Sequence, residues 1–132
     1  MIVVLDANVV ASALWTSNGK AAHIVNQVIA GNLKLCYDYR ILTEYHDILA
    51  RPNFKFSPWQ INFLLETFEK DGIAVIPTPL PQMPFSNESD KVFFEVAKFC
   101  NVPLITGNIE HFPQDDCVIN IVNYYEFLIN CG

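Results

Sequence analysis

An α/β fold with a mostly parallel sheet and helices on both faces is what this 132-residue sequence predicts, on three observations. Short apolar runs alternate along the chain with segments whose hydrophobic residues recur at helical spacing. The first run, Met1 to Leu5, is β-branched in the middle and stops abruptly at Asp6, as a buried parallel strand does. Turn and cap residues (Gly31, Pro52, Ser57-Pro58, Gly72) punctuate the boundaries between the two kinds of segment.

Taken in order, Met1 to Leu5 is the first strand. A helical region follows, carrying Ala21, Ile24, Val25, Val28 and Ile29, and Gly31 stops it. Leu33 to Tyr37 reads as the second strand. Ile41, Leu42, Tyr45, Ile48 and Leu49 mark a second helix that ends before Pro52. Ser57-Pro58-Trp59-Gln60 opens a third, with serine as cap, proline in the first turn and glutamine completing a capping box. That helix runs to about Lys70. Ile73 to Ile76 is the third strand, and the four prolines between Pro77 and Phe85 predict an irregular loop. Asn87 or Ser89 caps a fourth helix with Val92, Phe93, Val96 and Ala97. Val102 to Ile105 and Cys117 to Val122 complete five strands, and Tyr124 to Ile129 is a closing helix.

Bulk properties narrow the class. At 52% hydrophobic and 17% charged, the chain has the composition of a folded globular protein, in a length that suits one domain spanning residues 1–132. No apolar run approaches the ~20 residues of a membrane helix. No secretory leader is expected either, since Asp6 interrupts the first apolar stretch and no basic residue precedes it. The four cysteines (Cys36, Cys100, Cys117, Cys131) form no Cys-x-x-Cys pair, and reduced thiols in a cytoplasmic protein are expected. A net charge of −6 argues against a simple nucleic-acid-binding module, but suits carboxylates gathered to hold a cation.

Open α/β sheets bind ligands at the carboxyl ends of their strands, where strand order reverses. Asp6 and Asn8 follow strand one, Glu44 lies in the first turns of the helix after strand two, and Asp90 begins the helix after strand three. Thr106, Gly107 and Asn108 follow strand four. With ~100° per residue, Glu44 falls on the flank of the apolar stripe centred near Tyr45, whereas Asp47 points away from it. Carboxylates sharing a pocket repel each other unless a cation neutralises them, and oxygen donors suit Mg²⁺ or Mn²⁺. Metal-assisted phosphodiester hydrolysis is the chemistry such a pocket supports. Plainer roles compete at every position. Asp6-x-Asn8 could cap a helix, Glu44 could be a surface acid, Asp90 a first-turn acid, and Thr106-Gly107-Asn108 a turn. His111 reads as a turn residue rather than a ligand.

Together the segments Leu5-Asp6-Ala7-Asn8, Thr43-Glu44-Tyr45-His46-Asp47-Ile48-Leu49, Asp90 to Ala97, and Leu104-Ile105-Thr106-Gly107-Asn108 with His111-Phe112-Pro113 resemble the PIN-domain family over nearly the whole chain. The last piece, with Tyr125-Glu126-Phe127-Leu128, resembles a bacterial subgroup described as toxin components of toxin–antitoxin pairs (VapC-like ribonucleases). The resemblance implies a three-layer α/β/α sandwich around a central parallel sheet. It also implies a Mg²⁺- or Mn²⁺-dependent endoribonuclease acting on single-stranded RNA, with a protein antitoxin that occupies the site. By position, Asp6, Glu44 and Asp90 would be the metal-binding and catalytic acids, supported by Asn8, Thr106 and Asn108.

Many PIN domains place an acid where this chain has Asn108. Asparagine keeps an oxygen but removes a charge, so a second metal would bind less tightly. Among the eight Lys and Arg residues, Lys20, Arg40, Arg51, Lys55 and Lys91 are candidates for phosphate, and Trp15 and Trp59 for base stacking. Two other functions stay open: a PIN-like binding module with a weakened site, and a haloacid dehalogenase-type phosphatase with Asp6 as nucleophile. A mean hydropathy of +0.24 points to hydrophobic surface covered by a partner or by a second copy in a homodimer.

Overall fold

The structure, a computed structural model, describes residues 1–78 and 88–131. Five strands form one all-parallel sheet in the order β3-β2-β1-β4-β5. They are β1 (Ile2–Leu5), β2 (Lys34–Tyr37), β3 (Ile73–Ala74), β4 (Leu104–Thr106) and β5 (Val118–Asn120). β1 is central because its Val3, Val4 and Leu5 are fully buried, which suits a strand covered on both faces. Its register pairs Val3 with Leu35 on one side and Leu5 with Ile105 on the other. Strand order reverses between β1 and β4, so their carboxyl ends form the switch point.

Among the described residues, six helices surround the sheet: α1 (Ala7–Trp15), α2 (Lys20–Ile29), α3 (Tyr39–Leu49), α4 (Pro58–Asp71), α5 (Glu88–Cys100) and α6 (Ile121–Cys131). α5 packs against β1, β2 and β4, while α1, α2 and α6 pack with one another and against β4 and β5, giving the α/β/α layering. α4 starts as its sequence dictates. The Ser57 hydroxyl accepts from the Gln60 amide, the Gln60 side chain accepts from the Ser57 amide, and Pro58 occupies the first turn. It ends at Gly72, where a Cβ would come within 2.6 Å of the Leu35 carbonyl oxygen, so no larger residue lets α4 turn into β3 beside β2.

Where the sequence predicts one helical region after strand one, there are two helices. Val9, Val10, Ala11 and Ala13 of α1 are all buried, and Asn8 and Ser12 alone make its exposed polar strip, too narrow for helical periodicity to stand out. β3 is shorter than Ile73 to Ile76, ending at Ala74 on the sheet edge ahead of Pro77, with one further bond from the Val75 amide to the Tyr37 carbonyl. α6 begins at Ile121, three residues before Tyr124, because the Asn120 side chain accepts from the Val122 amide. Asn87 and the prolines at 79, 81 and 84 lie outside the described residues.

The expectation of separate reduced thiols is corrected. Cys36 on β2 and Cys100 at the end of α5 meet as a disulfide pair across 64 residues, with Cα atoms 7.4 Å apart, wider than most disulfides span. The packing of α5 over β2 brings them together, which spacing along the chain does not reveal. Cys117 and Cys131 are free, and burial pushes the Cys117 thiol up to about 12. No helix among the described residues is long and apolar enough to cross a membrane.

Candidate active site

At the switch point a cleft of about 350 Å³ opens between the carboxyl end of β1 and helices α1, α3 and α5. Asp6, Asn8, Glu44, Arg51, Asp90 and His111 line it, with Ile48 and Phe93 as apolar wall. Three carboxylates from three separate elements thus share one hollow.

Asp6 stands at the capping position of α1 yet makes no capping hydrogen bond with its side chain. Its Oδ2 instead accepts from the Thr106 hydroxyl at 2.8 Å, a bond that crosses from β1 to β4. Thr106 Oγ1 in turn accepts from the Asn108 amide at 3.0 Å. This fully buried hydroxyl is therefore satisfied on both sides and fixes the carboxylate's orientation. The backbone reinforces it: the Asp6 amide donates to the Ile105 carbonyl at 3.0 Å.

Glu44 reaches the cleft because Tyr45 next to it is anchored. The buried Tyr45 hydroxyl donates to the Leu5 carbonyl at 2.6 Å, pinning α3 to the end of β1 one residue before Asp6. Asp47 points outward, 66% exposed at its side chain, and does not line the cleft. Asp90 sits in the first turn of α5, buried, with its Oδ2 3.8 Å from His111 Nδ1. A helix start stabilises an anion there through its unpaired amides.

The electrostatics of the three acids agree in sign. Burial raises the Asp6 carboxyl above its ordinary value, Asp90 adds to this, and the Thr106 hydrogen bond and the amides of Ala7 and Asn8 oppose it. Burial likewise raises Glu44, helped by Asp47 and Asp90 and opposed by Arg51. Asp90 is raised by burial and lowered by His111. Arg51 is the cationic side chain on the wall, which His111 also lines.

Not every expected residue lies here. Asn108 does not line the cleft, and its contribution runs through its backbone amide to Thr106. Arg40 is engaged elsewhere, bridging Asp38 at 2.7 Å and the buried Glu95 at 3.2 Å, so it is not available for phosphate. Lys20 lies 5.5 Å from the centre of the Tyr125 ring. His111 does fall in a 3₁₀ turn (Ile109–His111), as its sequence context predicts, but also faces Asp90 across the cleft. A histidine 21 residues along the chain from Asp90 gives no sequence signal for that approach.

Among the described residues, no three His, Cys, Asp or Glu side chains approach closely enough to form a ready-made cage for a metal. A cleft walled by three carboxylates suits a hard cation that keeps much of its water, which is how Mg²⁺ is usually held by one or two carboxylates. The donor set fits such an ion and not a dehydrated, tightly caged one.

An all-parallel sheet in this strand order, with acidic side chains converging at its switch point, defines an α/β domain with an acidic pocket. The chain matches the PIN domain family over residues 2–110 and belongs to it. Members of that family are generally nucleases and usually bind a divalent metal. No curated protein and no solved structure gives a significant match. The dehalogenase-type alternative falls with this assignment, and no described lysine lines the cleft to serve it.

Proposed function

We propose that the protein is a Mg²⁺- or Mn²⁺-dependent ribonuclease that cuts single-stranded RNA in the cleft, with Asp6, Glu44 and Asp90 as its acidic site. The observation that carries this reading is the convergence of three raised carboxylates from β1, α3 and α5 on one hollow. Clustered, partly buried carboxylates of that kind cost stability unless a cation meets them, which makes the cleft a candidate for cation use.

When bound, a divalent ion supplies Lewis acidity toward a phosphate oxygen and lowers the pKa of a water. The chain's own residues do the rest. Asp6, locked by Thr106, presents a carboxylate of fixed direction. Asp90 closes the cleft from the opposite layer. The Glu44 carboxylate accepts no hydrogen bond from any described side chain, and its raised pKa suits it to orient a water and take its proton at a carboxylate oxygen. Arg51 offers a cationic partner for the phosphodiester, and His111 a ring nitrogen within the same wall. Asn8 opens α1 and shapes the wall beside Asp6.

The finer role is that of a toxin paired with a protein antitoxin in the cytoplasm. It is supported by the toxin-like ending of the sequence and by hydrophobic side chains left in solvent, such as Trp59 at 72% and Phe63 at 51%. Growth arrest on induction in a bacterial host, abolished by Asp6→Asn, is the expected outcome for a toxin. Continued growth with active nuclease would remove the toxin role alone.

A second reading, a binding module with a weakened site, is favoured by the absence of a tight ligand cluster among the described residues and by the asparagine at 108. Calorimetric titration with Mn²⁺ separates the two. Binding by the wild type that disappears in Asp6→Asn/Asp90→Asn, together with metal-dependent RNA cleavage, supports the nuclease. No binding and no cleavage by the wild type supports the module.

A further inference from the structure

About 12 Å along α1 from its Ala7 end in the cleft, the end of α1 and the α3–α4 connection gather three aromatic rings. Phe54 and Phe56 stack, with centroids 5.3 Å apart and planes 9° from parallel. Trp15, the last residue of α1, meets them edge-on at 67° and 75° between planes and leaves 61% of its surface in solvent. An edge-on contact covers at most one face of an indole, so a π face stays open while two half-buried rings hold the side chain in place.

The same connection carries positive charge. Arg51 lines the carboxylate cleft, and its carbonyl accepts from the Phe54 amide at 3.1 Å, so the aromatic cluster begins one turn from a guanidinium facing the acids. Lys55, exposed between the two phenylalanines, holds its backbone at φ 58°, a left-handed conformation unfavourable for a residue with a side chain. In a chain of net charge −6 with only eight Lys and Arg, this pairing of cations with open aromatic surface is selective. A single-stranded polynucleotide needs both, a cation for its phosphates and a π face for an unpaired base.

Resting on the nuclease reading, we propose that Trp15, braced by Phe54 and Phe56, stacks a base of single-stranded RNA a short way along the strand from the phosphodiester in the cleft, with Arg51 and Lys55 meeting the phosphates between. The platform positions substrate and takes no part in proton transfer. Because stacking is tolerant of base identity, it confers preference for unpaired over duplex RNA rather than for a sequence.

Two measurements on the full-length protein test this. In Trp59→Phe, Trp15 is the sole tryptophan. Its emission should be quenched as a mixed-sequence single-stranded RNA saturates the protein, and should not respond to the same RNA presented as duplex. In parallel, labelled-RNA anisotropy should show Trp15→Ala binding roughly 5- to 100-fold more weakly, as loss of one stacked base does, with Trp15→Phe closer to wild type. Cleavage by Trp15→Ala should show a raised KM with kcat little changed. If wild type binds and cleaves RNA while Trp15 emission stays constant and Trp15→Ala keeps the wild-type KM, the platform is wrong and the nuclease stands. If wild type neither binds nor cleaves RNA, the nuclease reading fails and the platform with it.

Discussion

Two hollows lie at opposite edges of the sheet. The one at the amino-terminal edge is the larger, about 720 Å³ against about 350 Å³ for the carboxylate cleft. Met1 and Ile2 at the entry to β1, Val102 and Pro103 before β4, and Tyr124 and Phe127 of α6 make it almost wholly apolar. The smaller cleft holds three acids, an arginine and a histidine. The contrast follows from the fold. Where parallel strands leave the sheet, each turns toward a helix start, and those starts at α1 and α5 lie beside Asp6 and Asp90. Helix starts favour anions; strand entries offer no such field. Size is therefore a poor guide in this molecule, and the charge that each sheet edge can support is a better one.

Substitutions sharpen that contrast in descending order of effect. Asp6→Ala should lower metal-dependent RNA cleavage by at least about 100-fold, the scale of losing a preorganised electrostatic group. Phe127→Ala in the apolar hollow should leave cleavage within about twofold, since surface changes away from a site act weakly. If the two trade places in an initial-rate assay, the functional edge has been assigned the wrong way round. Next, Thr106→Val strips the donor from Asp6 Oδ2 and the acceptor from the Asn108 amide. It should cost about 1–3 kcal/mol in chemical denaturation and roughly 10- to 100-fold in cleavage, while Thr106→Ser stays near wild type.

Acidity gives a subtler contrast. Asp6, Glu44 and Asp90 have folded-state pKa values above their ordinary ones. Their ionised forms oppose folding, so the penalty is complete above the folded pKa and fades as pH falls through it toward the unfolded value. Asp115 is shifted the other way, chiefly by the Cys117 amide and then by Lys98, and its contribution is lost only as pH falls below its ordinary range. Asp6→Asn should therefore melt higher than wild type at pH 7 in chelator, and that difference should fade as pH falls toward the ordinary carboxylate range. With excess Mn²⁺ the difference at pH 7 should shrink or reverse. An Asp6→Asn that melts no higher than wild type at pH 7 in chelator would contradict the raised carboxylate. The smallest effect is expected of Tyr45→Phe, about 1–2 kcal/mol for a buried carbonyl left without its donor, measured by urea unfolding.

Much of this architecture is legible in the residues. The abrupt change from Leu5 to Asp6 marks the end of the central strand, and the helical angle between Glu44 and Asp47 separates the acid that lines the cleft from the one that does not. Ser57-Pro58-Trp59-Gln60 specifies its cap completely, because both hydrogen bonds are local. What stays hidden is long-range or unpatterned. α1 carries only a narrow polar strip, Asn8 and Ser12, too slight to reveal its period. The bond from Tyr45 to Leu5 spans 40 residues and that from Thr106 to Asp6 spans 100, so neither leaves a local trace. The meeting of Cys36 with Cys100 and the approach of His111 to Asp90 are products of layer packing for the same reason. Asn108 aligns with the expected motif, but its side chain is absent from the cleft, since a motif fixes order along the chain and not direction in space.

The four residues of β1 also act as a ruler. Bonds on both sides hold it, to Lys34 and Leu35 across one edge and to Leu104 and Ile105 across the other. One residue inserted between Val3 and Asp6 would advance the carboxylate by about 3.3 Å and turn it to the opposite side of the sheet. Length variation in descendants of this chain should therefore collect in the turn between α1 and α2 or in the segment between β4 and β5, and spare β1 even where its apolar residues exchange freely with one another.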